Sequence, residues 1–545
     1  MRSTHLKILL LLVVVGVVLT GASAAVAAPV SFHVMLNASP APAADVDGRL
    51  VVIAADPAYA SPDWGYTEPR QLPGDFANSE GLPAIWGKEV TGMGNGDSAT
   101  LDSASTDSAT GTYGFPFVST DELPPGDYWI QAVLNTYTSF QRADGFTLDL
   151  IMPGNGENTL DNPGSYYSQP QMVTIPSGGG TVDISLTDVV QPSEPVPPGG
   201  TAQQGNPTDS RHVKHVKIKS GMLSQFWGQD MYIGADVLLP SGYFKKANAH
   251  RKYPVVCWDF HFPTRNPGGF VEPPGVQKAG RAFWTGDARF SQWWLSGKAP
   301  QMIYVQFREQ NPYGETAYMT DSPNMGPYDT AEHTELWPAL EKQFRMYKGG
   351  WSRTVSGISS GGWMAAAQQI YHPADYVGAW VFSPDSMSFE TIGTADLYAD
   401  DSFFYYPTYA PFSPLPRPDM INPDGTYADT QEHYSHWELA LGGGAVQARS
   451  GSYDGIWGEN FAMWGPQGTD GYPAPFFDLY KGDIDHAVTA QMHDKDLADY
   501  TVAHWPTIGK ALHGKLHIWA GTKDAFFLNL GVESFQEHVA GLTSP

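Results

Sequence analysis

The spacing of hydrophobic positions changes once along the chain, near residue 200. From residue 29 to about 190 the apolar residues fall in short runs: V-S-F-H-V-M-L (30–36), G-R-L-V-V-I-A-A (48–55), Y-W-I-Q-A-V-L (128–134), G-F-T-L-D-L-I-M (145–152) and T-V-D-I-S-L (181–186). Gly, Pro, Asn or Asp bounds each run, and no helical period joins them. This predicts a β-sandwich over 28–190. Asn95 to Gly114 is a low-complexity Ser/Thr/Asp/Gly loop, and Gln191 to Gly205, Q-P-S-E-P-V-P-P-G-G-T-A-Q-Q-G, opens a linker over 191–209. The region before the linker is therefore expected to be an independent unit that adds no catalytic group.

From about 210 to 545 strands alternate with helices. H-V-K-H-V-K-I-K-S (212–220) and M-Y-I-G-A-D-V-L-L-P (231–240) alternate as a hairpin would, whereas Y-P-V-V-C-W-D-F (253–260) is a continuous apolar run suited to a strand buried on both faces. Gln301–Phe307 is another strand. A helix follows with Leu336, Leu340 and Phe344 on one face and a bend at Pro338. Val377–Phe382 and Lys515–Ala520 are further strands, and 528–542 is a terminal helix. Between these last strands, residues 386–512 form an insertion dense in aromatics: Phe403, Phe404, Tyr405, Tyr406, Trp437, Trp457, Trp464, Phe476 and Phe477. Loops at the carboxyl ends of parallel strands surround the ligand crevice, so the insertion is expected to wall the substrate. The alternative is that its rings fill a small core of their own.

One stretch carries chemistry. In R-T-V-S-G-I-S-S-G-G-W-M-A-A-A-Q-Q-I-Y-H-P (353–373), Gly357-Ile358-Ser359-Ser360-Gly361 fits G-x-S-x-G. The pattern arises by chance in glycine-rich chains, and this one has 58 glycines. It has weight here because a strand candidate precedes it and the helix-forming run Met364–Ile370 follows. The expected fold is an α/β-hydrolase with a mostly parallel sheet, preceded by the β-sandwich. Ser359 is the candidate nucleophile, and the N–H of Ser360 is the first oxyanion donor. The second donor belongs on the loop after the 253–260 strand, where Phe262 is chosen and His261 is read as structural. For the acid, Asp524 follows the 515–520 strand through a Gly-x-x-Asp turn; Asp385, in Ser383-Pro384-Asp385, is the alternative.

Composition narrows the setting. The 545 residues are 42% hydrophobic and 16% charged, with net charge −26. Residues 29–195 hold 21 acidic against 4 basic side chains, and 196–545 hold 36 against 25. Nucleic acids and anionic membranes require Lys/Arg clusters, so neither is an expected partner. M-R-S-T-H-L-K, a run of Ile, Leu and Val, and G-A-S-A-A-V-A-A read as a signal peptide over 1–27, cleaved after Ala27 or Ala24, with an uncleaved anchor as the competing reading. The expected location is secreted or periplasmic. The single cysteine, Cys257, lies in an apolar strand and is expected to be a buried, inert thiol.

Several runs together resemble the putative-esterase family of α/β-hydrolases: F-W-G-Q-D-M-Y-I-G-A-D-V-L-L-P-S-G-Y, H-F-P, D-S-P-N-M-G-P-Y, S-G-I-S-S-G-G-W, F-S-P-D-S-M-S-F and L-H-I-W-A-G-T-K-D-A-F-F-L-N. That family includes feruloyl and acetylxylan esterases, S-formylglutathione hydrolases, enterochelin-type esterases and mycolyltransferases. The resemblance spans about 210–540. It implies Ser359 as nucleophile, Asp524 as acid, and no metal or organic cofactor. The expected activity is hydrolysis of carboxylic esters, with small-molecule or polysaccharide-linked esters as substrates. The alternatives are acyl transfer, or a catalytically dead hydrolase fold used for carbohydrate binding. The chain departs from the family's pattern at the base, whose loop follows a last strand beyond Asp524. His538 falls within the terminal helix, and His372, His504 and His513 precede the acid. The chain is thus expected to be a C-terminally truncated hydrolase lacking its last strand and histidine loop, and inactive as it stands.

Overall fold

The computed structural model describes residues 29–543 apart from 59–67, 72–82, 104–110, 153–159, 161, 260–265, 273–287, 409–411 and 444–455. The signal-peptide segment lies outside the described residues. No helix among the described residues is long and apolar enough to cross a membrane.

The second half of the chain is organised by one seven-stranded sheet. Its strands are β1 (Val213–Ser220), β2 (Met231–Leu238), β3 (Val255–Asp259), β4 (Ile303–Arg308), β5 (Arg353–Ser359), β6 (Gly378–Pro384) and β7 (Leu516–Trp519). They lie in the order β1-β2-β4-β3-β5-β6-β7. The β1/β2 pair forms the expected antiparallel hairpin, with Val213 opposite Leu238 and Ser220 opposite Met231. From β4 to β7 every pairing is parallel. Strand β3 sits between β4 and β5 with Val255, Cys257 and Asp259 buried on one face and Val256 and Trp258 half-buried on the other; Cys257 is fully buried, and burial pushes its thiol well up. The bend expected at Pro338 takes the form of a π-helical turn, Glu332–Leu336, running into the helix Trp337–Gln343.

At the carboxyl end of β3, Asp259 is 3% exposed and accepts the Phe307 N–H at 3.0 Å. Burial, reinforced by the neighbouring Glu309 and partly opposed by that N–H, raises its carboxyl to about 8. The folded protein therefore keeps this proton to about pH 8, whereas an unfolded chain releases it near 4. The resulting contribution to stability is complete below about pH 4 and is lost as pH rises towards 8. Asp259→Asn should consequently raise the melting temperature at pH 8 much more than at pH 4; equal shifts at both values would exclude a buried proton here.

The first half contains a three-stranded sheet, Gly180–Leu186, Val30–Leu36 and Ser98–Leu101, and an eight-stranded sheet centred on Gly126–Gln141 and Val46–Ala55. Phe32, Val34 and Leu36 of the first meet Leu50, Val52, Ala54, Ile130, Ala132 and Leu134 of the second in one buried cluster. The intervening residues of the larger sheet, Val51, Ile53 and Val133, point the other way. With Ile85, Phe115, Phe140, Leu148 and Leu150 they join the core of the second half.

The expectation of an independent unit gives way at this face. Arg49, 2% exposed, donates to the carbonyls of Leu439 and Ala440 at 2.9 and 3.0 Å, and Arg142 donates to those of Pro323, Asn324 and Gly471. Gly228 has φ 71°, and a Cβ there would lie 1.9 Å from the Gln141 carbonyl oxygen, so only glycine permits that approach. The linker is itself held: Gln203 is buried, and Lys217 Nζ donates to the carbonyls of Gln203 and Gly205 at 2.8 and 2.6 Å.

Candidate active site

Strand β5 ends in a turn that a larger side chain at position 357 would block. A Cβ on Gly357 would lie 2.0 Å from Gly361 O and 2.8 Å from Asp259 O, and one on Gly362 would lie 2.9 Å from Phe382 O. The missing side chains let β5 pass directly into the helix Ser360–Tyr371, which is buried from Ser360 to Ile370. Ser359 sits at the junction with φ 57° and ψ −129°, a conformation an L-residue adopts only where its surroundings enforce it. As the first helical residue, Ser360 has a backbone N–H with no intrahelical partner.

A register shift beside the turn decides which acid approaches. The β5/β6 pairing slips after Ile358, so that Ser359 aligns with Pro384, and Ser383 takes φ 35°. Asp385 then donates its N–H to the Ser359 carbonyl at 3.1 Å. Its Oδ1 lies 3.4 Å from Ser359 Oγ, and its Oδ2 accepts the Ser360 hydroxyl at 2.7 Å. Tyr318 OH lies 2.9 Å from the same Oδ2 and 2.7 Å from Ser360 Oγ. Burial, then the Asp385 charge, pushes the Tyr318 phenol well above its ordinary value, so it stays a donor.

Asp524 has different work. It follows β7, and its Oδ1 accepts the N–H groups of Phe526 and Leu528 at 3.0 and 3.4 Å, closing the turn into the helix Leu528–Val539. Ser359, Ser360 and Asp385 are thus brought together, and Asp524 is engaged in its own turn. Phe262 and His261 lie outside the described residues.

Several histidines have partners elsewhere. His372 pairs with Asp329, His504 Nδ1 lies 2.9 Å from the Tyr500 carbonyl, and His538 Nδ1 lies 2.9 Å from that of Ser534. Among the described residues, no hydrogen bond joins a histidine to Ser359 or Asp524.

Sequence reasoning missed Tyr318. Its context, E-T-A-Y-M-T, matches no motif; the available signal was its place on the loop after β4, at the same sheet end as the elbow. Phe403, Phe404, Trp437, Trp457, Trp464, Phe476 and Phe477 of the insertion are all buried, which favours the core reading over the substrate wall. Trp464 packs behind the elbow, with ring centroids 5.8 Å from Trp363 and 6.1 Å from Tyr318.

Residues 224–535 match the putative esterase family model. The chain belongs to the putative esterase family. Family membership and the strand order, with the elbow after the fifth strand, make the second half an α/β-hydrolase. Solved structures similar to this esterase-family chain include a ferulic acid esterase (24% identity, TM-score 0.24, covering 32% of this chain and 62% of that one). Another is a ferulic acid esterase of the anaerobic fungus Anaeromyces mucronatus (18%, 0.21, 33% and 64%). A third is the fluorophosphonate-binding serine hydrolase F of Staphylococcus aureus (11%, 0.25, 60% and 98%). The chain spans less than two thirds of the length of either ferulic acid esterase. No curated protein matches it.

Proposed function

We propose that this member of the putative esterase family is an exported serine esterase that cleaves carboxylic esters through an acyl-enzyme on Ser359. Acyl groups carried on polysaccharides are the substrate class favoured by the sequence resemblance. The observation that carries the reading is the backbone of Ser359, held at φ 57° between a strand and a buried helix by glycines that the turn cannot exchange. Such strain persists where a hydroxyl must be presented at the sheet's carboxyl end. In this reading Ser359 Oγ attacks the ester carbonyl and the Ser360 N–H receives the developing oxyanion, while the proton of Ser359 needs a base that His372, His504 and His538, engaged elsewhere, do not supply. Asp385, fixed by Ser360 and Tyr318, positions the Ser359 hydroxyl.

The test is a fluorophosphonate probe with peptide mapping, run beside p-nitrophenyl acetate turnover. The label should fall on Ser359 and vanish in Ser359→Ala together with turnover. Equal labelling and turnover in the variant would sink the proposal. The two acids separate in the same assay. Asp385→Asn should lower kcat by about tenfold or more with KM little changed, because a displaced hydroxyl loses its attack geometry. Asp524→Ala should mainly lower the melting temperature, by the loss of a turn cap worth about 0.5–2 kcal/mol. The reverse pattern would return the acid's role to Asp524.

A further inference from the structure

At the far end of the elbow helix, about 18 Å from Ser359 at 1.5 Å per residue, two histidines and two aspartates converge. Asp329, on the helical turn Tyr328–Ala331, and His333, in the π segment that follows, are four residues apart, and His372 ends the elbow helix with its N–H bonded to the Gln368 carbonyl at 3.0 Å. One ligand atom from each of Asp329, His333 and His372 lies within 4.8 Å of the other two. His372 Nε2 is 2.7 Å from Asp329 Oδ2, and His333 Nδ1 is 3.2 Å from Oδ1 of the same carboxylate. The two rings are tilted by 30°, with centroids 4.2 Å apart.

The opposite ring nitrogens face a second carboxylate. His333 Nε2 and His372 Nδ1 are 3.9 and 4.0 Å from Asp375 Oδ2. His333 Nε2 is buried and has no hydrogen-bond partner. Asp329 is itself aimed: Gln368 Nε2 donates to its Oδ1 at 2.7 Å, and the Tyr376 hydroxyl holds Gln368 Oε1 at 2.9 Å.

We propose that Asp329, His333 and His372 bind a zinc ion through Asp329 Oδ, His333 Nδ1 and His372 Nε2, with Asp375 as a nearby second negative charge. The 3.2 Å separation is close to the spacing of about 3.4 Å between tetrahedral donors 2.0–2.2 Å from zinc, whereas His372 Nε2, hydrogen-bonded to Asp329 at 2.7 Å, must move outward and His333 Nδ1 must give up the Asp329 carbonyl 3.1 Å away to admit the ion. Two imidazoles and one carboxylate form a donor set for a borderline divalent ion. Asp375 Oδ2, 3.9 and 4.0 Å from the outer nitrogens, is beyond hydrogen-bond reach of either ring and adds a negative charge beside both. Two carboxylates and two neutral imidazoles also sum to the charge that one divalent cation cancels.

The ion would brace the fold rather than enter the ester chemistry proposed for Ser359. Gln368 Nε2 also donates to the carbonyl of Met319 at 2.8 Å, and Met319 and Tyr318 both hold positive φ, at 49° and 53°. Zinc would therefore tie the helix end to the turn that presents Tyr318 to Ser360 and Asp385.

The test uses the full chain, stripped with a chelator and titrated with zinc chloride by calorimetry, with melting temperature read alongside. One saturable site and a higher melting temperature are expected. His372→Ala should weaken binding by more than about tenfold, and Asp375→Asn, which removes only a nearby charge, by less than His372→Ala. The exposed His250→Ala should bind as the parent does. If circular dichroism shows His372→Ala unfolded, His372→Gln takes its place. Absence of saturable binding, or equal binding in the His372, Asp375 and His250 variants, would overturn the proposal and leave an imidazole–carboxylate cluster only.

Discussion

Deleting residues 29–190 is expected to leave a chain that aggregates and does not melt cooperatively. The larger sheet of the first half sends Val51, Ile53, Ile85, Phe115, Val133, Phe140, Leu148 and Leu150 into the core of the second. At about 1.5–3 kcal/mol for each such side chain, this face contributes roughly 12–24 kcal/mol as an upper bound. A domain's net stability is about 5–15 kcal/mol, so the loss exceeds what the remainder can absorb. Deletion also strips the donors Arg49 and Arg142 from the buried carbonyls of Leu439, Ala440 and Asn324. Size-exclusion chromatography and calorimetry of a 191–545 chain would check this. A monomeric fragment with a sharp transition would show that the shared core is dispensable.

The second large effect belongs to Gly357→Ala. The new methyl would sit 2.0 Å from Gly361 O and 2.2 Å from Gly361 C, both backbone atoms, so no rotamer change relieves it. Either β5 or the elbow helix must shift. A cost of about 3 kcal/mol, at the upper end for overpacking, is expected. Because Ser359 moves with the turn, turnover should fall by about 10²-fold even where the variant folds. Gly178→Ala, whose new Cβ would meet nothing within 4 Å, is the matched control and should change neither quantity. Normal turnover in Gly357→Ala would show that the elbow geometry is not what positions the serine.

The elbow was legible in the sequence because its constraint is local: glycines flank a serine between a strand and a helix, and few other conformations suit that string. Asp385 was visible only as an alternative, since the slip that brings it to Ser359 depends on how β5 and β6 pair, which no short motif encodes. Tyr318 was invisible for the same reason. It reaches the site through two consecutive positive-φ residues, and nothing in A-Y-M-T announces them.

The shared core was written in the sequence but passed over. L-V-V-I-A-A (50–55) is a continuous apolar run in an antiparallel sheet, where one solvated face would have produced alternation. Leu50, Val52 and Ala54 face one cluster while Val51 and Ile53 face the other. The helix Gly221–Trp227 was missed because it is two turns long, with Ser220 capping the Leu223 N–H at 3.1 Å between two strands that read as a simple hairpin.

The contact between Arg49 and Leu439 also orders events in time. The partners are 390 residues apart in sequence, and at about 5–20 residues per second a ribosome takes roughly 20–80 s to supply the second after the first. Throughout that interval the outward face of the Val46–Ala55 strand, with Arg49, Val51 and Ile53, lacks the Leu439 and Ala440 carbonyls that Arg49 needs. The early half of this chain therefore completes its native packing only after the late half has been made.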